Sequence, residues 1–202
     1  MTSTHKKAEA TPFDGRHARS RSSRSKIVEA MLQLVGSGDV APSAARVADI
    51  AGVGLRTVFR HFVDMDMLYR EMSAVIEERV SPIIAEPLKG PNWKARMSEI
   101  ADRRAIVFET ILPFRISANL KRFQSSYLMQ DYQRLLKAEI NGIEALLPGS
   151  VIDDIVGARG LTVILSFQTW RLLRHDQGLS TEEARLVINR LLADALQNLP
   201  DH

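Results

Sequence analysis

Cysteine is absent from the 202-residue chain, which removes disulfide frameworks, thiolate metal sites, iron–sulfur clusters and thiol catalysis together. Aromatic residues are sparse, at 6%, so any core is mainly aliphatic. No apolar run comes near the roughly 20 residues that cross a bilayer. The polar N-terminal stretch also lacks the apolar centre of a secretory signal, and a cytoplasmic protein with no membrane partner is the expectation. Strand signals are scarce too. Alternating β-branched stretches are missing, and Asp14-Gly15 sits in a polar segment instead of between two apolar runs.

What is present is ordinary in amount but uneven in place. Apolar residues make up 45% and charged residues 25%, values that exclude wholesale disorder and suffice for a buried core. The net charge is +3. The first 70 residues hold 11 of the basic and 7 of the acidic side chains, and the rest of the chain holds 16 and 17. The basic excess is therefore N-terminal, the pattern of a polyanion-binding module joined to a neutral, apolar remainder.

Helical spacing recurs throughout. Ile27, Met31, Leu34 and Val35 fall at i, i+4, i+7, i+8 and stop at Gly36-Ser37-Gly38. Ser43 is placed to cap a second helix, with Val47, Ile50 and Ala51 as its apolar face. Gly52-Val53-Gly54 ends that helix, and Leu55, Val58, Phe59 and Phe62 mark a third short one. A longer helix starts at Asp64 or Asp66. Beyond it the spacing predicts helices over about 92–111, bounded or kinked at Pro113, then 125–147 and 150–175. A final helix opens on the capping box Ser180-Thr181-Glu182-Glu183. The fold class is all-α: a flexible basic arm over 1–21, a three-helix unit over 22–70 with a helix-turn-helix at about 43–62, and a helical domain over 71–202.

On a helical wheel, Arg56, Thr57, Arg60 and His61 lie opposite the apolar members of the third helix. A short helix with two arginines, a hydroxyl and an imidazole on its free face suits a DNA major groove. The helix before it, capped by Ser43, is placed to aim its first N–H groups at a phosphate. Residues 43–62 with Asp66-Met67-Leu68 resemble the helix-turn-helix of the TetR (tetracycline repressor) family. Ala48, Ala51-Gly52-Val53, Thr57, Arg60-His61-Phe62 and Leu68 match its pattern; Ser43, Val47, Val58 and Phe59 are close replacements. Phe59 replaces the usual Tyr, Met65 the usual Lys and Gly54 the usual Ser, each removing a backbone contact or cap. Arg19, Arg21 and Arg24, with Arg16, are candidates to compensate by contacting phosphates or a minor groove.

The resemblance implies a ligand-responsive regulator, nucleoid-associated and usually a repressor, that binds a palindromic operator in double-stranded DNA as a homodimer. It also implies a C-terminal pocket for a small, largely apolar effector. Candidate lining residues are Phe108, Ile111, Phe114, Phe123, Tyr127 and Trp170, with Arg115, or else Arg104 or Arg174, as the polar anchor. Ile155, Val163, Phe167, Ile188, Leu191 and Leu192 are candidates for the dimer interface, where Gly157-Ala158-Arg159-Gly160 would allow close approach. No catalytic residue, metal site or cofactor is expected. The five histidines form no compact ligand set, glycine fingerprints are missing, and a helix start accounts for Asp153-Asp154. Two other readings stay open: a non-specific architectural DNA-binding protein, and an all-α enzyme.

Overall fold

In the computed structural model, which describes residues 12–201 with side chains from Ser20 onward, the first helix, α1, runs from Pro12 to Gly36. Residues 12–21, expected as part of a flexible arm, are therefore helical, and the rest of that arm lies outside the described residues. The predicted stripe of α1 is fully used: Ile27, Met31, Leu34 and Val35 are all buried. Its end is a Schellman turn. Asp39 N–H donates to Leu34 C=O and Gly38 N–H to Val35 C=O, with Gly38 at φ +99°.

The helix-turn-helix follows the same rules. α2 (Ala44–Ile50) is capped by Ser43, whose Oγ accepts the Arg46 N–H at 3.3 Å. Val53 N–H then reaches back to Ala48 C=O and Gly52 N–H to Asp49 C=O, with Gly52 at φ +63°. A glycine is the residue that takes this left-handed turn without strain. α3 (Leu55–His61) starts at Gly54, which supplies no side-chain cap. α2 packs against both α1 and α3. Val47, Ala48, Val58 and Phe62 are buried, whereas Ile50, Leu55 and Phe59, expected on the same apolar faces, are exposed. Both short helices therefore bury a narrower stripe than the spacing suggested.

The chain divides into two compact units, Met1–Met72 and Ser73–His202. α4 (Met65–Ala85) crosses this boundary and begins where Asp64 accepts the Met67 N–H at 2.9 Å. In the second unit α5 (Trp93–Lys121) continues through Pro113 instead of ending there. Proline removes one N–H, but Phe108 and Ile111 before it and Arg115 and Ser117 after it are all buried, and their packing holds the helix together. α6 (Ser126–Glu144) is capped by Ser125.

The continuous helix expected over 150–175 is broken into α7 (Gly149–Ile152), α8 (Ile155–Ile164), α9 (Phe167–Arg171) and a π-turn (Leu172–Asp176). Two side chains cause the breaks. Asp154 Oδ1 accepts the Val156 N–H at 3.0 Å, and Ser166 Oγ accepts the Thr169 N–H at 3.1 Å. Each offers the backbone a cap in place of the next helical hydrogen bond. α10 (Thr181–Gln197) carries the predicted capping box and packs chiefly on α5 and α8. Residues after it return to α5, where Trp93 Nε1 donates to Asp201 C=O and Lys94 Nζ to Leu199 C=O. No strand occurs among the described residues, and none of their helices is long and apolar enough to cross a membrane.

Candidate nucleic-acid interface and interior ligand site

The outward side of α3 carries Arg56, Phe59 and Arg60, all exposed, with Thr57 half-buried beside them. Neither arginine makes a hydrogen bond or ion pair with any described residue. Phe59 is 49% exposed, so an aromatic ring is exposed on the same helix as the two unpaired guanidiniums. Ser43 is exposed at the start of α2. The sequence wheel placed His61 with these groups, but it is half-buried and its Nε2 is enclosed with no hydrogen-bond partner. Burial, then Arg60 and Arg24, hold its pKa below the ordinary 6.5. The ring is thus neutral at pH 7 and offers no second positive charge.

Arg24 is placed differently from expectation as well. Its guanidinium donates to Glu71 at 2.7 Å and to the His61 carbonyl at 2.9 Å, and it stacks over the Phe62 ring at 4.4 Å. It clamps α1 to the end of α3 and to α4 instead of reaching outward. Arg21 is exposed on α1, while the side chains of Arg16 and Arg19 lie outside the described part.

The interior of the second unit holds two clusters of opposite character. In one, Glu109 accepts Trp170 Nε1 at 2.8 Å, Arg174 Nε at 2.7 Å and Nη2 at 3.0 Å, and Thr181 Oγ1 at 3.2 Å. Burial alone would raise this carboxyl; the donors from Arg174, Trp170 and Thr181 outweigh it and hold the pKa below its ordinary value. Arg174 is therefore a structural partner, not a free anchor.

In the other cluster two guanidiniums lie near one carboxylate, only one of them paired with it. Arg115 pairs with Glu139, whose second oxygen accepts the Phe167 N–H at 3.1 Å. Arg104 donates to the backbone carbonyls of Leu165 and Glu139, each at 2.6 Å. Burial draws the Arg104 guanidinium below its usual range; Glu139 opposes this and Arg115 adds to it. Arg115 is only 8% exposed, and its Nη2 has no partner. The two arginines bracket an aromatic pair: Arg104 lies 6.0 Å from the Phe108 ring and Arg115 4.1 Å from Phe167, and those rings meet edge to face at 5.6 Å.

A small cavity beside Arg104 is walled by Phe108, Leu165, Ser166, Trp170 and Ile188, with room for about one water molecule. Of the residues expected to line a ligand site, Phe108 and Trp170 touch this cavity, Ile111 is buried, and Phe114 and Tyr127 are half-buried. Phe123 is 77% exposed under the Arg122 guanidinium and lines nothing inside. Glu109 and Glu139 were not singled out from sequence. The signal was there for Glu139: it lies four residues after Leu135 and four before the buried Ile143, an acid on the inner stripe of α6.

Among the residues expected at a dimer interface, Phe167, Ile188 and Leu192 are buried in the core of their own unit. Ile155, Val163 and Leu191 are exposed, as are Val156 and Leu186. Gly157 is filled from within, since a Cβ there would meet the Leu199 side chain at 2.5 Å, whereas Gly160 faces open space.

No protein-family model and no curated protein sequence matches the chain. Among solved structures, the crystal structure of multidrug binding protein EbrR complexed with imidazole superposes with a TM-score of 0.58 at 22% identity, over 83% of this chain and 88% of that one. At that identity the likeness concerns the fold. The architecture of this chain is all-α, as in that structure.

Proposed function

We propose that the chain is a ligand-responsive transcriptional regulator, a repressor that binds a palindromic operator as a homodimer and is released by a small effector held in the second unit. The observation that carries this reading is the outer face of α3. Two arginines without a partner among the described residues and an exposed phenylalanine lie on a helix of groove width, braced by buried Val58 and Phe62. Arginine is suited to fork onto guanine O6 and N7, and the Phe59 ring to meet a thymine methyl. With His61 neutral and Arg24 engaged, the contacts are assigned to Arg56, Thr57, Phe59 and Arg60, with Ser43 at a phosphate. Arg21 is exposed but further along α1, and remains a candidate phosphate contact.

Exposed Ile155, Val156 and Val163 on α8 and Leu186 and Leu191 on α10 support homodimerisation. A twofold pair of recognition helices one DNA turn apart would read inverted half-sites. The domain assignment follows: residues up to about 70 bind DNA, and the remainder binds ligand and partner. The test is a fluorescence-anisotropy titration of the full chain against duplex from its own upstream region and against random duplex at one salt concentration. A regulator prefers the upstream duplex by about 10³-fold or more. Equal affinity for both would retire this reading in favour of an architectural DNA-binding protein.

A further inference from the structure

The buried charges of the second unit do not balance around Glu139. Arg104 and Arg115 place two positive charges near one carboxylate, that of Glu139; Arg115 is paired with it, while Arg104 is held only by neutral carbonyls. A guanidinium does not shed its proton in a protein, so the excess charge remains. Burying such a charge without a counter-ion costs several kcal/mol. The shortfall is located at one atom: Arg115 Nη2 is enclosed without an acceptor, while its Nη1 is committed to Glu139. The Glu109 cluster shows what completion looks like, with four donors converging on one carboxylate.

The surroundings of the unfilled atom are apolar and adjacent to discontinuities in the backbone. Phe167 lies under the guanidinium and Phe108 against Phe167. The walls belong to the α8–α9 break and run towards a π-turn, a feature often found at functional sites. One member of that aromatic pair, Phe108, also lines the small cavity beside Arg104.

We infer that the effector is a monoanion with an apolar body, a carboxylate whose head group is received by Arg115 Nη2 while Nη1 stays on Glu139, and whose body packs on Phe108 and Phe167. This rests on the regulator reading above only for the word effector; the preference for an anion rests on the arginine cluster. The guanidinium would then bridge two carboxylates, a use its forked donors permit. Ligand entry must displace part of the wall, because the cavity in this form is far smaller than any such molecule.

The experiment uses the full chain without DNA and three near-isosteric probes: 4-phenylbutyrate, 4-phenylbutanamide and 4-phenylbutylamine. Calorimetric titration should show the carboxylate binding about tenfold or more tighter than the amide, with the amine weakest, as a charge-assisted hydrogen bond requires. Because Arg115→Met alone leaves Glu139 buried and unpaired, the discriminating protein is the double variant Arg115→Met/Glu139→Gln. In it the carboxylate should lose its advantage and amide binding should persist. Glu139→Gln alone should tighten the carboxylate by freeing Arg115.

Equal binding of all three probes, no saturable binding of any, or a carboxylate preference that survives in the double variant would overturn the proposal. Adding the upstream duplex separates the two readings. Carboxylate selectivity with no effect on DNA affinity confirms the anion site and removes its role as effector site; failure of DNA binding itself leaves the anion selectivity untouched.

Discussion

The arginines of α3 and the interior arginines of the second unit are used in opposite ways. On α3, Arg56 and Arg60 stand in solvent with no partner among the described residues. In the second unit, Arg104, Arg115 and Arg174 are turned inward and bound, and Arg134, Arg159 and Arg185 at the surface all have carboxylate partners. On the open face of α3 the unpaired positive charge suits a polyanion, whereas at the buried Nη2 of Arg115 only a small anion fits. Surface ion pairs contribute little to stability, so their pairing in the second unit matters more for silencing its surface charge than for holding the fold.

The comparison breaks most severely at Arg115. Arg115→Met should destabilise the second unit by about 3–5 kcal/mol, because the Glu139 carboxylate is left buried beside a single arginine engaged with carbonyls. Urea denaturation checks this, and Arg115→Met/Glu139→Gln should recover most of the loss. If the single variant is as stable as the parent chain, the pair is solvated and the charge argument fails. Next in size is Val163→Asp on α8, where Val163 is 63% exposed. A twofold interface carries each substitution twice, so the dimer dissociation constant should rise by about a hundredfold. Light scattering should then find monomer at concentrations where the parent is dimeric, and an unchanged mass would move the interface elsewhere. Arg56→Ala should weaken binding to the upstream duplex by about 1–3 kcal/mol while leaving the unfolding midpoint in place.

Those effects also mark where sequence reading succeeded. The first unit was legible because short helices with glycine turns leave local signatures: the Ser43 cap, the left-handed Gly52 and the buried Val47, Val58 and Phe62 follow from spacing and turn chemistry alone. Its errors were of facing. Arg24 and His61 sit where a wheel allows solvent, and only the packing of α1 and α4 against them turns one into a clamp and the other inward. The second unit resisted for a different reason. The apolar run 150–175 has no proline, and its two glycines, Gly157 and Gly160, lie inside α8 and not at its breaks; the caps that mark the breaks, Asp154 before α8 and Ser166 before α9, are ordinary polar residues in the sequence. Long-range partners such as Glu139 with Arg115 or Glu109 with Arg174 have no local signature at all, which is why Phe167, Ile188 and Leu192 were expected outside and are found within.

The smallest effect, and the one that separates the units most finely, is their response to acid. His61 in the first unit has its pKa lowered below 6.5 by burial and by Arg60 and Arg24. The unfolded chain therefore binds the His61 proton first as pH falls, so stability is lost from about pH 6.5 downward until the folded pKa is passed. Glu109 in the second unit has its carboxyl pKa below the ordinary 4.5, with burial outweighed by Arg174, Trp170 and Thr181. There too the unfolded chain protonates first, but the loss begins only near pH 4.5. Between pH 7 and 5 the first unit should weaken while the second holds. A urea midpoint followed over that range, with Trp93 and Trp170 fluorescence reporting the second unit and amide exchange in α3 the first, should show the difference. His61→Gln should flatten the α3 response and leave the tryptophan signal alone; an α3 response unchanged by His61→Gln would place the acid sensitivity of the DNA-binding unit in another group.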